Sequence, residues 1–236
     1  PPERPTRIET FTLADFRNYR KQTVELESGL NFVNGANGEG KTNFLESIYA
    51  LALSNSYKAE DREMVRFESP FARARASVMS SAGRTDLQLI LAEDGKKALA
   101  NGQEVKRLSD YVGILNVVLF APEDMNLVKG SPVDRRYFLD VVLGQIDKRY
   151  LDDLSAYKHA LKQRNELLKQ AQPGKDIDRD LLDVLTEQLA AAEAKGVHLA
   201  VKLLEERACT CAITVGAQAR QDDAAAEQFG LGAAVA

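Results

Sequence analysis

Lys41 and Thr42 close the run Gly35-Ala36-Asn37-Gly38-Glu39-Gly40-Lys41-Thr42, which is followed by Asn43. The spacing is G-x-x-x-x-G-K-[ST], and its chemistry is the capture of nucleotide phosphates. Glycines let the backbone curl so that successive N–H groups face one anion. The N-terminus of the next helix adds partial positive charge at the same place. A lysine at the sixth step past the first glycine reaches the β- and γ-phosphates, and the hydroxyl beside it can hold Mg²⁺.

That chemistry requires a strand before the loop and a helix after it. Leu30-Asn31-Phe32-Val33 reads as a short buried strand, and Phe44, Leu45, Ile48, Tyr49, Leu51 and Ala52 recur at helical spacing. Upstream, residues 8–13 and 23–26 read as two strands joined by the polar stretch 15–20. Downstream, 54–66 is polar and reads as irregular. Residues 71–80 alternate, with Ala72, Ala74, Ala76 and Val78 on one face and Arg73 and Arg75 on the other. A further strand over 84–92 carries Leu87, Leu89 and Leu91 on one face. Asp94-Gly95 and Asn101-Gly102 are hairpin turns, which completes an antiparallel meander. Residues 115–120 read as a buried strand ended by Pro122, with Glu123-Asp124 opening a short helix. Ser131-Pro132 starts another helix as N-cap and first helical residue.

From 147 the texture changes. Tyr150, Leu154, Tyr157, Leu161 and Leu168, then Leu182, Leu185, Leu189, Ala192, Gly196, Leu199 and Leu203, follow three-four spacings on either side of Gln172-Pro173-Gly174-Lys175. The pattern predicts two antiparallel helices joined by a Pro-Gly turn. His159 and His198 fall there and read as solvated arm residues. The expected organisation is a nucleotide-binding lobe over 1–146, a helical arm over 147–207 and an Ala-rich tail without a clear period over 208–236.

The bulk composition, 44% hydrophobic and 28% charged over 236 residues, is that of an ordinary globular chain. No apolar run approaches the ~20 residues of a membrane helix, and the opening Pro1-Pro2-Glu3-Arg4-Pro5 has no signal-peptide core. A cytoplasmic location without membrane partners is the expectation. Cys209 and Cys211 imply no disulfide framework. The net charge of −4 leaves nucleic-acid binding to local patches.

Four segments in order give the chain a resemblance to the RecF family of DNA replication and repair proteins, relatives of the SMC and Rad50 ATPases. They are Phe16-Arg17-Asn18-Tyr19; the loop from Asn34 to Asn43 continuing into Leu45-Glu46-Ser47-Ile48-Tyr49; Val118-Leu119-Phe120-Ala121-Pro122-Glu123-Asp124; and Gly130-Ser131-Pro132-Val133-Asp134-Arg135-Arg136-Tyr137-Phe138-Leu139-Asp140. The resemblance runs over residues 7–170. It implies an α/β ABC-type P-loop ATPase head lobe, a mixed sheet with an antiparallel meander, plus an antiparallel two-helix arm.

The resemblance also implies ATP and Mg²⁺ as cofactors and DNA as partner. The complete protein would be an ATP-dependent homodimer and would meet a RecR-like recombination mediator. Glu123 and Asp124 take the place of the segment that senses Mg²⁺ and γ-phosphate in the relatives. Arg17 has two readings, an approach to the nucleotide from the first-strand loop or an ordinary surface arginine. Arg73 and Arg75, with Arg84, Lys58 and Arg62, are candidates for DNA phosphates, against the alternative of a solvated strand face.

The second half of such a head, with its signature serine and its Walker B acids, has no counterpart here. No serine follows Ser155, and Asp222-Asp223 follows Ala219-Arg220-Gln221 rather than an apolar strand. The expectation is an incomplete head with no catalytic residue of its own, binding nucleotide with little turnover. Two functions fit: a RecF-like, ATP-controlled DNA repair factor, or a helical-arm scaffold whose nucleotide site is structural.

Overall fold

Alternation of small apolar and charged residues makes the central strand of the molecule. In Phe71–Ser80 (β4), Ala72, Ala74, Ala76 and Val78 are buried, while Arg73 and Arg75 are exposed. The structure, a computed structural model, describes residues 6–120, 131–169, 178–206, 213–216 and 233–235. Around β4 lie Arg7–Phe16 (β1), Tyr19–Glu25 (β2), Gly83–Ala92 (β5), Gly95–Ala100 (β6) and Gln103–Glu104 (β7). They form one six-stranded sheet in the order β2-β1-β4-β5-β6-β7, antiparallel throughout. Both hairpin signals act as read. Asp94-Gly95 turns β5 into β6, and Asn101-Gly102 takes positive φ at both positions between β6 and β7.

A second, four-stranded sheet runs Leu30–Asn31 (β3), Ala233–Val235 (β10), Ile213–Gly216 (β9), Val117–Phe120 (β8), with β8 and β9 parallel. Residues 208–236 show no period in the sequence, yet they contribute β9 and β10. The strand expected over 30–33 is shorter and more open than its apolar letters suggest. Only Leu30 and Asn31 pair, and Phe32 is 73% exposed. The cause is its place at the edge of this sheet, where one side has no neighbouring strand among the described residues.

Lys41–Leu53 (α1) is buried on every side from Phe44 to Leu53. It contacts β4 and β5 of the first sheet and β8 of the second, so it has no solvent face to make polar. Phe11 meets Phe44 edge to face at 5.4 Å. The fully buried Tyr111 donates its hydroxyl to the Leu51 carbonyl at 2.7 Å, and burial pushes the phenol's pKa well up. Segment 54–66 is more ordered than its polarity suggests. It contains a one-turn helix, Asp61–Met64 (α2), closed by a reciprocal capping box between Glu60 and Glu63. Leu108–Tyr111 (α3) is similarly short.

The chain divides into two compact units, residues 1–138 with 211–236, and residues 139–210. The division falls inside Pro132–Ile146 (α4). That helix starts at Pro132 as expected, with the Asp134 carboxylate accepting from the backbone N–H and hydroxyl of Ser131. These bonds hold the Asp134 carboxyl below the usual carboxylate range. The second unit contains Lys148–Lys169 (α5) and Arg179–Glu206 (α6). Arg164 donates to the Thr186 hydroxyl, and the Tyr150 ring lies 3.9 Å from the place of a Cβ on Gly196. Residue numbers rise along α5 as their partners fall along α6, so the pair is antiparallel. The Pro-Gly turn expected at 172–175 lies outside the described residues, as do Cys209 and Cys211. No described helix is long and apolar enough to cross a membrane.

Candidate phosphate-binding site

The loop from β3 to α1 is closed on itself by its own polar groups. Asn34 accepts the Gly35 N–H through its side-chain oxygen at 2.9 Å. The turn 36–39 is doubly tied: Glu39 N–H donates to the Ala36 carbonyl, and Ala36 N–H donates to Glu39 Oε2 at 2.8 Å. Lys41 Nζ arches back over the loop and donates to the Gly35 and Ala36 carbonyls, both at 2.7 Å. Its ammonium therefore already lies across the loop it would serve. Gly40 sits at the N-cap of α1 in the left-handed region, φ 104°, with no side-chain cap and no acid in the helix's first turn. The positive end of a buried thirteen-residue helix is thus unneutralised by its own side chains. Thr42 is exposed there beside half-buried Lys41 and Asn43.

A second turn braces the first. Asn18, between β1 and β2, donates to the Glu39 carbonyl at 2.9 Å and accepts from the Asn43 amide at 2.9 Å. Tyr19 donates its hydroxyl to the Gly40 carbonyl at 3.1 Å, and partial burial raises its phenol pKa. The turn is itself clamped. Arg17 N–H donates to the Met64 carbonyl, Arg66 N–H to the Asp15 carbonyl, and Phe16 bridges Val65.

Arg17 does not point at the loop. Its guanidinium makes a two-pronged pair with Glu46, Nε to Oε2 at 3.1 Å and Nη2 to Oε1 at 2.9 Å. Glu46 is fully buried, and it also accepts from the Ser56 hydroxyl at 2.6 Å and lies 3.5 Å from Lys58 Nζ. Glu46 has no assigned role in the motif, yet it is the anchor of the site. The available signal is one carboxylate inside the apolar run 44–53. Such a charge survives burial only when paired.

The basic candidates do not form one cluster. Arg73 and Arg75 share the sheet face opposite the buried Ala72, Ala74 and Ala76. Arg75 is paired with Asp86 at 2.8 Å, and Arg84 lies 3.9 Å from the same carboxylate. Lys58 joins Glu46 of α1, on the other side of the sheet. Arg62 is exposed on α2, whose Asp61 pairs with Lys96, also on the α1 side. Glu123 and Asp124 lie outside the described residues. His159 is exposed on α5. Among the described residues no group of three or more His, Cys, Asp or Glu could hold a metal ion.

Gly40 is a point where backbone and packing agree. A Cβ there would run into the Asn18 side-chain amide, and its φ disfavours any L side chain by about 1–2 kcal/mol. Gly40→Ala is expected to dislodge Asn18 from Glu39 and Asn43 and weaken nucleotide binding at least tenfold, read by titration of labelled ATP.

The family model described as AAA domain matches residues 11–196. The chain belongs to the AAA-domain family. Within it, the chain is RecF-like. It is 51% identical over 183 residues to the DNA replication and repair protein RecF of Shouchella clausii (strain KSM-K16), covering 77% of this chain and 49% of that one. It is 44% identical over 191 residues to RecF of Bacillus subtilis (strain 168), covering 80% and 52%. The solved structure of the recombination mediator protein RecF-ATPrS in the RecFOR pathway superposes with a TM-score of 0.80 at 31% identity, covering 86% of this chain and 55% of that one. A companion RecF-ATP structure gives 0.80 at 30% identity, covering 85% and 54%. The chain spans about half the length of the curated relatives it matches. The expected fold class, a P-loop head lobe with a meander and two antiparallel helices, is the one found.

Proposed function

We propose that this chain is the ATP-binding half of a RecF-like DNA replication and recombinational repair protein. In this reading it works in the cytoplasm, on single- and double-stranded DNA, in gap repair and the SOS response. The observation that carries the proposal is the phosphate loop: Lys41 Nζ poised over Gly35 and Ala36, ahead of an uncapped helix N-terminus. The names of the relatives, with RecF-ATP among them, agree with it.

The loop suits a nucleoside triphosphate. Its backbone from Gly38 to Asn43, with Lys41, would hold the phosphates, and the Thr42 hydroxyl would hold Mg²⁺, which screens phosphate charge when bound. Lys41 orients the polyphosphate, and Asn18 and Tyr19 keep the loop in place for it. ATP-dependent pairing of two heads and a RecR-like mediator belong to the complete protein.

Phosphoryl transfer needs the water positioned as well as the charge screened. No catalytic residue is assigned in this chain. In a single-turnover assay with radiolabelled Mg²⁺-ATP, the chain is expected to bind nucleotide and release negligible phosphate. Failure of wild-type chain to retain ATP would end this reading. Release of phosphate at a steady rate would require a catalytic acid in this half.

A further inference from the structure

The register of the first sheet sets three cations in one line. On the face opposite α1, Lys21 of β2 pairs Ala14 of β1, which pairs Arg73 of β4, which pairs Ile90 of β5, which pairs Lys97 of β6. Directly paired residues share a face, so Lys21, Arg73 and Lys97 stand in one transverse row. All three are exposed. Strands lie ~4.8 Å apart, so the cations are about 10 Å from one another and span roughly 19 Å.

The surroundings of the row separate it from the other basic residues. Among the described residues none of the three has an ion pair, while Arg75, one row further, is held by Asp86. The Arg73 guanidinium rests 5.5 Å from the centre of the Phe71 ring, which steadies it at the middle of the row. Acids bracket the row. Glu25 pairs Thr10, Thr10 pairs Ser77 and Ser77 pairs Asp86, which puts two carboxylates roughly 7 Å beyond Arg75's row along the strands. Glu93 and Asp94 occupy the β5–β6 turn at the opposite end. A polyanion lying along the strands would meet carboxylates at both ends. One lying across them along this row passes Lys21, Arg73 and Lys97 with no carboxylate in the row; Glu104 stands one row over, at the β7 end of Arg75's row.

We propose that the row Lys21–Arg73–Lys97 is a phosphate-backbone track for DNA that crosses the sheet perpendicular to its strands. This rests on the DNA-binding reading above and refines it: Lys21 and Lys97 contribute, and Arg75 and Arg84 serve Asp86 instead. Phosphate contacts carry no sequence information, so the track binds by charge alone.

The test is fluorescence anisotropy of a labelled duplex and a labelled single strand, titrated with the whole chain at several salt concentrations. Lys21→Gln, Arg73→Gln and Lys97→Gln together should flatten the slope of log K against log salt by about 2.7 on duplex or about 2 on single strand, equally for unrelated sequences. Arg75→Gln should change the slope by less than any one of the three. The residues are on the surface, and unchanged thermal unfolding confirms that the variant folds. A triple variant with wild-type slope, beside a wild type that binds, overturns the track and leaves the DNA reading standing. An Arg75→Gln effect as large as that of a row residue overturns the selection of this row. A wild type that binds neither DNA at about 50 mM salt overturns both.

Discussion

Lys41→Ala is expected to weaken ATP binding at least tenfold and leave the unfolding transition nearly unchanged. Lys41 is half-buried, and among the described residues its ammonium donates only to the Gly35 and Ala36 carbonyls. Its removal therefore takes two hydrogen bonds from a surface loop whose carbonyls water can reach. The loop keeps its other ties, the doubly bonded turn at 36–39 and the Asn18 and Tyr19 braces. The loss falls on the ligand. A charge-assisted contact to phosphate is worth about 1.5–3 kcal/mol, a factor of ten to over a hundred. Titration with fluorescent ATP measures the first effect and urea denaturation the second. Equal affinities for wild type and variant would move the nucleotide site away from this loop. A large fall in unfolding midpoint would make Lys41 a clasp of the loop rather than a ligand.

How much of this was legible in the letters follows from where the controlling forces act. The loop, α1 and the meander are local. Glycines at fixed spacing, alternation in 71–80 and Asn101-Gly102 each specify a geometry within a few residues, and each takes that geometry in the fold. Arg17 was ambiguous because its partner, the one carboxylate in the largely apolar run 44–53, is 29 residues away. The edge position of β3 was also hidden. Leu30, Phe32 and Val33 look like a buried strand, but burial depends on which strands come alongside, and β10 belongs to a segment with no period. Lys21 and Lys97 gave no local signal either. Their alignment with Arg73 depends on the pairing of five strands.

Arg17→Ala is expected to be the most destabilising single change around the site, by about 3 kcal/mol, a fall of roughly 1–2 M in urea midpoint. Among the described residues it leaves a fully buried carboxylate with only the Ser56 hydroxyl and a more distant Lys58. Those remaining partners, and the 22% exposure of the Arg17 side chain, place the cost at the low end of the range for breaking a buried pair. The same change should weaken ATP binding, because the turn fixed by Arg17 also carries Asn18 and Tyr19 against Glu39, Gly40 and Asn43. Pairing it with Glu46→Leu separates the two roles. Removing both charges should recover much of the stability, since an apolar replacement of a buried ion pair is often neutral. Recovery of ATP affinity in parallel would mean that Arg17 acts only through the stability of the turn. The opposite pattern, an Arg17→Ala chain as stable as wild type but unable to hold ATP, would mean that the guanidinium leaves Glu46 and reaches the nucleotide.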